Sequence, residues 1–220
     1  MGIKSEHNQR GVTLIELLIG LVLCGLTIAG IYRLFVAQSK AYTVQDQVAE
    51  VQQGIRSGME ILLRDLRMAG FDSDNSNSKI SITTPIAVGD HSVTMNYEYD
   101  NTHRHEITYS INNGSLIRQL TIFPDAGPSS TTTETILENV VALNFTYGVD
   151  TTDPSDGAID AYNGQLWLDA ATVTNNGLKV IAIQAVLTAN PDQTNSDVRD
   201  WVSPRRLAST VTLRNQCFTR

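Results

Sequence analysis

The feature that most constrains this chain is an apolar run close to its N-terminus. From Leu17 to Tyr32 no side chain is charged, and extending the run to Ala37 adds only Arg33. About 20 apolar residues cross the hydrocarbon core of a bilayer, and a helix satisfies its own backbone polar groups there. The run therefore predicts a membrane-spanning helix. The basic residues of the segment that precedes it, Lys4 and Arg10, predict a cytoplasmic N-terminus.

Two features disfavour the alternative of a cleaved secretory signal peptide. Such a peptide has an apolar region of roughly 7–15 residues and then a small-residue cleavage site, whereas this run is longer and continues into a helical pattern. In addition, Glu16 stands at the start of the run, and a carboxylate inside a membrane is costly. A simple anchor does not need that carboxylate, so Glu16 is a candidate functional residue. The alternative is that its side chain only extends to the membrane surface.

The residues around Glu16 resemble a known processing signal. Residues 10–17 read Arg-Gly-Val-Thr-Leu-Ile-Glu-Leu and follow a short basic leader. This order is similar to the class III signal of type IV pilins and pseudopilins, with valine at position 12 where phenylalanine is most usual. The resemblance implies that a prepilin peptidase cuts after Gly11 and methylates the new amino group of Val12. Residues 1–11 are then a leader peptide, and residues 12–37 are a transmembrane and assembly helix.

Cleavage after Gly11 gives Glu16 a physical role. Glu16 becomes the fifth residue of the mature chain, one helical turn from a new amino group. That amino group and the unpaired N–H groups of a helix N-terminus carry positive charge, which is unfavourable in lipid. The carboxylate can neutralise this charge in its own chain or in a neighbouring subunit. In the second case it sets the register between subunits, because a desolvated charge pair tolerates little slippage.

An amphipathic pattern continues beyond the apolar run. No proline occurs before Pro85, and apolar residues recur at spacings of three and four over residues 38–69. Together the two segments predict one helix over residues 12–69, about 87 Å long, with Gly70 as its C-cap.

The end of this amphipathic segment extends the resemblance. Residues 61–71 are similar to the helix end of PilW-type minor pilins and, less closely, to that of the J-type pseudopilins of type II secretion. Asp65 is expected to pair with a nearby arginine such as Arg64 or Arg67. The alternative is a solvated helix end, where exposed pairs contribute under about 1 kcal/mol.

Residues 70–220 have the composition of a β-rich globular head. Alternating apolar residues predict strands over 91–99, 105–111, 115–122, 141–147 and 208–213, with a hairpin turn at 112–114 and a loop over 124–133. In residues 177–188 both alternating sets of side chains are mostly apolar, which predicts a central strand with both faces covered. The apolar residues of the fourth strand are expected to share one face: Val141, Leu143, Phe145 and Tyr147.

These patterns predict an α+β fold in which a long N-terminal helix, half in the membrane and half amphipathic, packs on a mostly antiparallel β-sheet head. This is also the architecture that the resemblance to type IV pilins implies. Within the head, residues 136–189 are similar to PilW-type minor pilins.

Two groups of polar residues are candidate metal ligands. Four carboxylates fall within eleven residues and are candidate calcium ligands: Asp150, Asp153, Asp156 and Asp160. Their spacing differs from that of an EF-hand loop, and the alternative is a solvated acidic loop with turn-forming residues. His103 and His105 lie two residues apart and form half of a metal site at most, the alternative being an exposed pair at a strand edge. No cofactor is expected apart from the calcium that these carboxylates suggest.

Charge is distributed unevenly along the chain. The formal net charge is -7; residues 70–197 hold 4 basic and 16 acidic groups, or -12, whereas residues 198–220 hold 5 against 1, or +4. A net acidic chain is not expected to bind nucleic acid directly. The basic C-terminal stretch is expected to meet an acidic neighbour or the acidic head of its own chain.

The sequence predicts neither an enzymatic activity nor a disulfide bond within the chain. The sequence has no nucleophile elbow, phosphate-binding loop, dinucleotide fingerprint or zinc-protease motif, so no enzymatic activity is expected. Cys24 lies inside the apolar run and Cys217 near the C-terminus, so the two are expected to be far apart after membrane insertion. Cys217 is therefore expected to be a free thiol, the alternative being a bond to a partner.

The resemblance implies a minor pilin, a structural subunit that initiates type IV pilus assembly. Its implied partners are other minor and major pilins, the prepilin peptidase and the assembly platform of the bacterial inner membrane. A J-type pseudopilin of type II secretion is the first alternative. A membrane-anchored binding protein that never polymerises is the second, and it leaves Glu16 and the Gly11 junction unexplained.

Overall fold

The computed structural model describes residues 11–73, 77–152, 155–191 and 196–217. The chain divides into two compact units, one ending at Gln45 and the other beginning at Asp46, and helix α1, Leu14–Leu66, contributes to both. In the first unit, every residue from 11 to 43 is exposed. None of the described residues therefore covers the apolar run.

The second half of α1 is buried along one side. Its buried apolar residues are spaced three and four apart, which is the pattern of a single helix face: Val51, Ile55, Met59, Leu62 and Leu66. The amphipathic pattern of residues 38–69 thus correctly predicted which side of the helix meets the head.

The helix ends three residues before the predicted position. Met68 and Ala69 donate their backbone N–H groups to carbonyls three residues back, a tighter turn than that of an α-helix. Gly70 follows with φ of 71°, the left-handed conformation that commonly terminates helices. Its N–H then donates to the Asn96 carbonyl, which joins the helix end to the sheet.

One sheet of the head contains five antiparallel strands in sequence order. Asn113 and Gly114 have φ of 49° and 74°, so the predicted hairpin turn is a turn of two left-handed residues. The fifth strand begins at Ser130, inside the predicted loop, because its threonine-rich segment finds a partner strand. The five strands are β1 Ile86–Val88, β2 Val93–Asp100, β3 His103–Asn112, β4 Ser115–Pro124 and β5 Ser130–Leu137.

A second sheet contains three antiparallel strands: β6 Val140–Asp150, β7 Lys179–Ala189 and β8 Arg205–Thr212. Strand β7 is central, as its doubly apolar sequence predicts. The prediction that Val141 shares a face with Leu143 is wrong, because the register shifts between Val140 and Ala142 and leaves Val141 54% exposed. Short helices complete the described residues: α2 Ala170–Asn176, α3 Ser196–Arg199 and α4 Arg214–Cys217.

The apolar face of α1 and the inner faces of the two sheets form one hydrophobic core. Fully buried side chains come from each of these layers, among them Leu62 of α1, Tyr109 of β3 and Ile183 of β7. The predicted α+β fold, a long N-terminal helix with an antiparallel β head, is therefore confirmed.

Candidate functional site

The predicted processing site lies immediately before helix α1. Gly11 and Val12 are exposed, and no described atom lies within 4 Å of the position that a Cβ at residue 11 would take. The fold therefore does not require glycine at position 11. A requirement for glycine there would come from a protein that binds this segment.

Thr13 caps the first turn of α1. Its hydroxyl accepts a hydrogen bond from the Glu16 N–H at 3.4 Å, and its carbonyl accepts one from the Leu17 N–H at 3.2 Å. A side-chain oxygen at this position satisfies one of the donors that every helix N-terminus leaves unpaired. This role of Thr13 was missed at the level of sequence, although the Thr-x-x-Glu spacing of residues 13–16 is that of a capping box and identifies it.

The structure places Glu16 in the first turn of α1, where a carboxylate interacts favourably with the helix dipole. Its side chain is exposed, and no cation among the described residues pairs with it. The carboxylate is thus available to a group outside the described chain. Its role in subunit register stays a prediction.

The surface around Glu16 is almost entirely apolar. Large hydrophobic side chains stand exposed along this part of α1, including Leu17 at 61%, Leu21 at 66% and Leu26 at 67%. By length and composition, α1 is a helix apolar enough to cross a membrane. Such a surface requires lipid or the apolar surface of another protein.

A buried polar cluster fixes the other end of α1 to the five-stranded sheet. The Asp65 carboxylate is 7% exposed and accepts hydrogen bonds from the Tyr109 hydroxyl at 2.8 Å and from Arg118 Nε at 2.7 Å. The expected partner Arg64 is more distant at 3.8 Å and its side chain is exposed. The expected pair with Arg64 is therefore present but long, whereas the alternative of a solvated helix end is wrong, because Asp65 is buried against the sheet.

This environment shifts the ionisation of both donors. Burial, reinforced by the Asp65 carboxylate, raises the pKa of Tyr109 well above its usual range. Burial opposes the charge of Arg118, but its hydrogen bond to Asp65 raises the pKa of the guanidinium overall. A neutral tyrosine and a charged arginine thus hold the carboxylate and join α1 to strands β3 and β4.

The acidic loop uses its carboxylates for local hydrogen bonds. Asp150 is 5% exposed and accepts from the Ser155 hydroxyl and the Gly157 N–H, and these bonds lower its pKa. Asp160 accepts from amides and hydroxyls of residues 151–152, which also lower its pKa.

The other two candidate calcium ligands do not complete a site among the described residues. Asp156 accepts from the Ala158 N–H, and Asp153 lies outside the described residues. No group of three or more His, Cys, Asp or Glu side chains in the described parts of the chain is arranged to hold a metal ion. Calcium binding stays a prediction without a structural observation in its favour.

The two histidines do not form an exposed strand-edge pair, and that expectation is wrong. Strand β3 lies inside the sheet, between β2 and β4. His103 contacts the Asp100 carboxylate at 2.9 Å, whereas His105 is 8% exposed, stacks on Tyr99 and contacts the Tyr97 hydroxyl at 3.1 Å. Burial lowers the pKa of His105, which favours its neutral form within this aromatic cluster.

Both cysteines are free. Cys24 is exposed on the apolar part of α1, and the buried thiol of Cys217 donates to the Leu213 carbonyl at 3.3 Å.

Comparison with known families identifies the N-terminal segment. The model of the prokaryotic N-terminal methylation motif matches residues 7–32. The match includes Gly11, Val12 and Glu16 and the apolar part of α1, and it supports a type IV pilin-like precursor with a membrane-anchoring helix. No curated protein matches the chain significantly.

Proposed function

We propose that this protein is a minor pilin of the PilW type, which helps to initiate type IV pilus assembly. The observation that carries the proposal is the methylation motif at residues 7–32, which includes the start of the apolar part of α1; residues 11–43 are all exposed. A helix of this kind needs lipid before assembly and neighbouring helices after it. The similarity of residues 61–71 and 136–189 to PilW-type minor pilins supports the choice of subfamily.

In the proposed pathway, the apolar part of α1 first resides in the inner membrane with the N-terminus in the cytoplasm and the head in the periplasm. A prepilin peptidase cuts the peptide bond between Gly11 and Val12, and the freed amino group of Val12 receives one methyl group. The subunit then moves through the assembly platform into a filament of major and minor pilins. There Glu16 pairs with the positively charged N-terminus of a neighbour, which fixes its axial position.

Intact-mass spectrometry of the chain extracted from membranes tests the processing step. The expected product begins at Val12 and carries one methyl group. A Gly11→Leu variant should keep the leader, because the cut would be blocked. Gly20→Ala is the matched control, since its added Cβ meets no described atom within 4 Å. A wild-type chain that is uncut, or that is cut after the apolar run, would overturn the proposal.

A pair of substitutions that preserves composition tests the role of Glu16. Exchanging two neighbours in the double variant Glu16→Leu/Leu17→Glu keeps the hydropathy of the helix and rotates the carboxylate by about 100°. The variant should insert into the membrane and be processed but be lost from sheared filaments. Its recovery at wild-type levels would refute the register mechanism.

Deletion of the gene separates the proposal from its two alternatives. A minor pilin is required for normal pilus number, whereas loss of protein export with unchanged pili would identify a J-type pseudopilin. A membrane-anchored binding protein would change neither and would be absent from filaments.

A further inference from the structure

Three arginines line a cleft between α1 and the head, and no carboxylate of the described residues belongs to its lining. The cleft has a volume of about 340 Å³ and lies between α1, which contributes Arg56, and the start of β8, which contributes Arg205 and Arg206. None of the three forms an ion pair with any described residue. At Arg205 and Arg206 of β8, the structure therefore does not support the expectation that the basic C-terminal stretch pairs with the acidic head of its own chain.

The side chain of Arg205 adds a second sign of an absent acceptor. Its Nε is buried and has no hydrogen-bond partner, whereas buried polar groups in folded proteins are normally satisfied. An arginine fork is matched best by a carboxylate or phosphate, which it binds through two parallel N–H groups. The cleft thus has the chemistry of a site for an anionic group.

A second cleft between α1 and the head carries the opposite charge. Its volume is about 370 Å³, and it lies between α1 and the ends of β5 and β7 with the residues that follow them. Glu50 of α1 and Glu138 after β5 line it, both are exposed, and no Lys or Arg belongs to the lining. Val51 and Gly54 also line the cleft and provide apolar contact surface beside the two carboxylates.

The two clefts lie on different sides of the same turns of α1. Glu50 and Arg56 are six residues apart, which places their side chains about 120° apart around the helix axis. When two copies stand side by side with parallel helices, the acidic cleft of one can therefore face the basic cleft of the next at a similar height. A contact between different surfaces of identical chains can repeat without closing.

We propose that the cleft lined by Arg56, Arg205 and Arg206 binds the Glu50–Glu138 surface of a second copy of this chain. The charge complementarity of the two clefts favours this occupant. A nucleic acid or an anionic lipid surface is disfavoured, because the head residues 70–197 carry a net charge of -12. This contact between heads goes beyond the proposed function, in which only the N-terminal helix and Glu16 are assigned to assembly.

Charge reversal in the full-length chain, purified in detergent micelles, tests the contact by analytical ultracentrifugation. Arg206→Glu and Glu138→Arg should each weaken self-association by about tenfold, since each places like charges opposite one another. The double variant should regain affinity to within about threefold of wild type, as should an equimolar mixture of the two single variants. Raising the salt concentration should weaken wild-type association.

Two exposed residues outside both clefts provide matched controls. Arg199→Glu and Glu60→Arg change the net charge by the same amounts and should leave association unchanged. Because all four positions are exposed, circular dichroism should report the same folded content for every variant. The proposal is overturned by a wild-type chain that stays monomeric, by single variants that match their controls, or by a double variant in which the two losses add.

Discussion

Replacing Asp65 by alanine is expected to lower the free energy of unfolding of the head by about 3 kcal/mol. The change removes the acceptor of two hydrogen bonds, at 2.8 Å from Tyr109 and at 2.7 Å from Arg118. Removing one partner of a buried ion pair typically costs about 3–5 kcal/mol, because the other charge stays buried and unpaired. The lower end applies here, since the Arg118 side chain is 15% exposed and keeps a contact with Glu134 at 3.5 Å.

Urea titration of the full chain in detergent micelles, followed by the fluorescence of the half-buried Trp167, measures this loss. Tyr109→Phe should cost less, about 1–2 kcal/mol, because it removes one hydrogen bond and leaves the arginine–carboxylate pair intact. Glu60→Ala is the control, since Glu60 is exposed on the same helix. If Asp65→Ala costs no more than Glu60→Ala, the buried cluster does not attach α1 to the sheet and the reasoning fails.

Three further predictions concern pH, helix capping and helix glycines. Burial, and then the Asp65 carboxylate, raise the pKa of Tyr109, so above about pH 10 the folded state retains a proton that the unfolded state releases. The free energy of unfolding should therefore fall as the pH rises above about 10. Urea titrations at several pH values should show a smaller fall in the Tyr109→Phe variant. Thr13→Ala should destabilise the first turn of α1 by about 1 kcal/mol, which hydrogen exchange would detect as faster exchange of the amides there. Thr13→Ser keeps the hydroxyl, so exchange as fast as in Thr13→Ala would contradict a capping role. Gly58→Ala should stabilise the head by up to about 1 kcal/mol, because its new Cβ comes no closer than 3.6 Å to any neighbour. Gly54→Ala should gain less, because Leu137 Cδ1 lies 2.9 Å from the new atom and must move; thermal unfolding compares the two, and a larger gain for Gly54→Ala would contradict the packing.

The hairpin at residues 112–114 and the helix end at Gly70 illustrate what local sequence determines. Each depends on a residue that adopts positive φ readily, so the signal lies within a few positions of the chain. The apolar run, the amphipathic face of α1 and the doubly apolar strand β7 are equally local, because helices and strands repeat their environments at fixed periods. The candidate site at Gly11, Val12 and Glu16 belongs to the same class, since its residues are neighbours in sequence.

The tertiary structure determined the side-chain contacts and exposures that depend on segments remote in sequence. Asp65 is 53 residues from Arg118 along the chain, and only the packing of α1 on β4 makes Arg118 a closer partner than the adjacent Arg64. Val141 became exposed through a register shift that its own sequence does not encode.

The sequence by itself therefore determined the apolar N-terminal helix, the methylation motif and the α+β class, because these follow from composition and spacing along one segment. Which charges are buried, which are paired and which remain open in the two clefts depended on the packing of α1 on strands remote in sequence. A side chain's hydropathy is the same in every fold, but its partners are set by the register and packing of the elements around it.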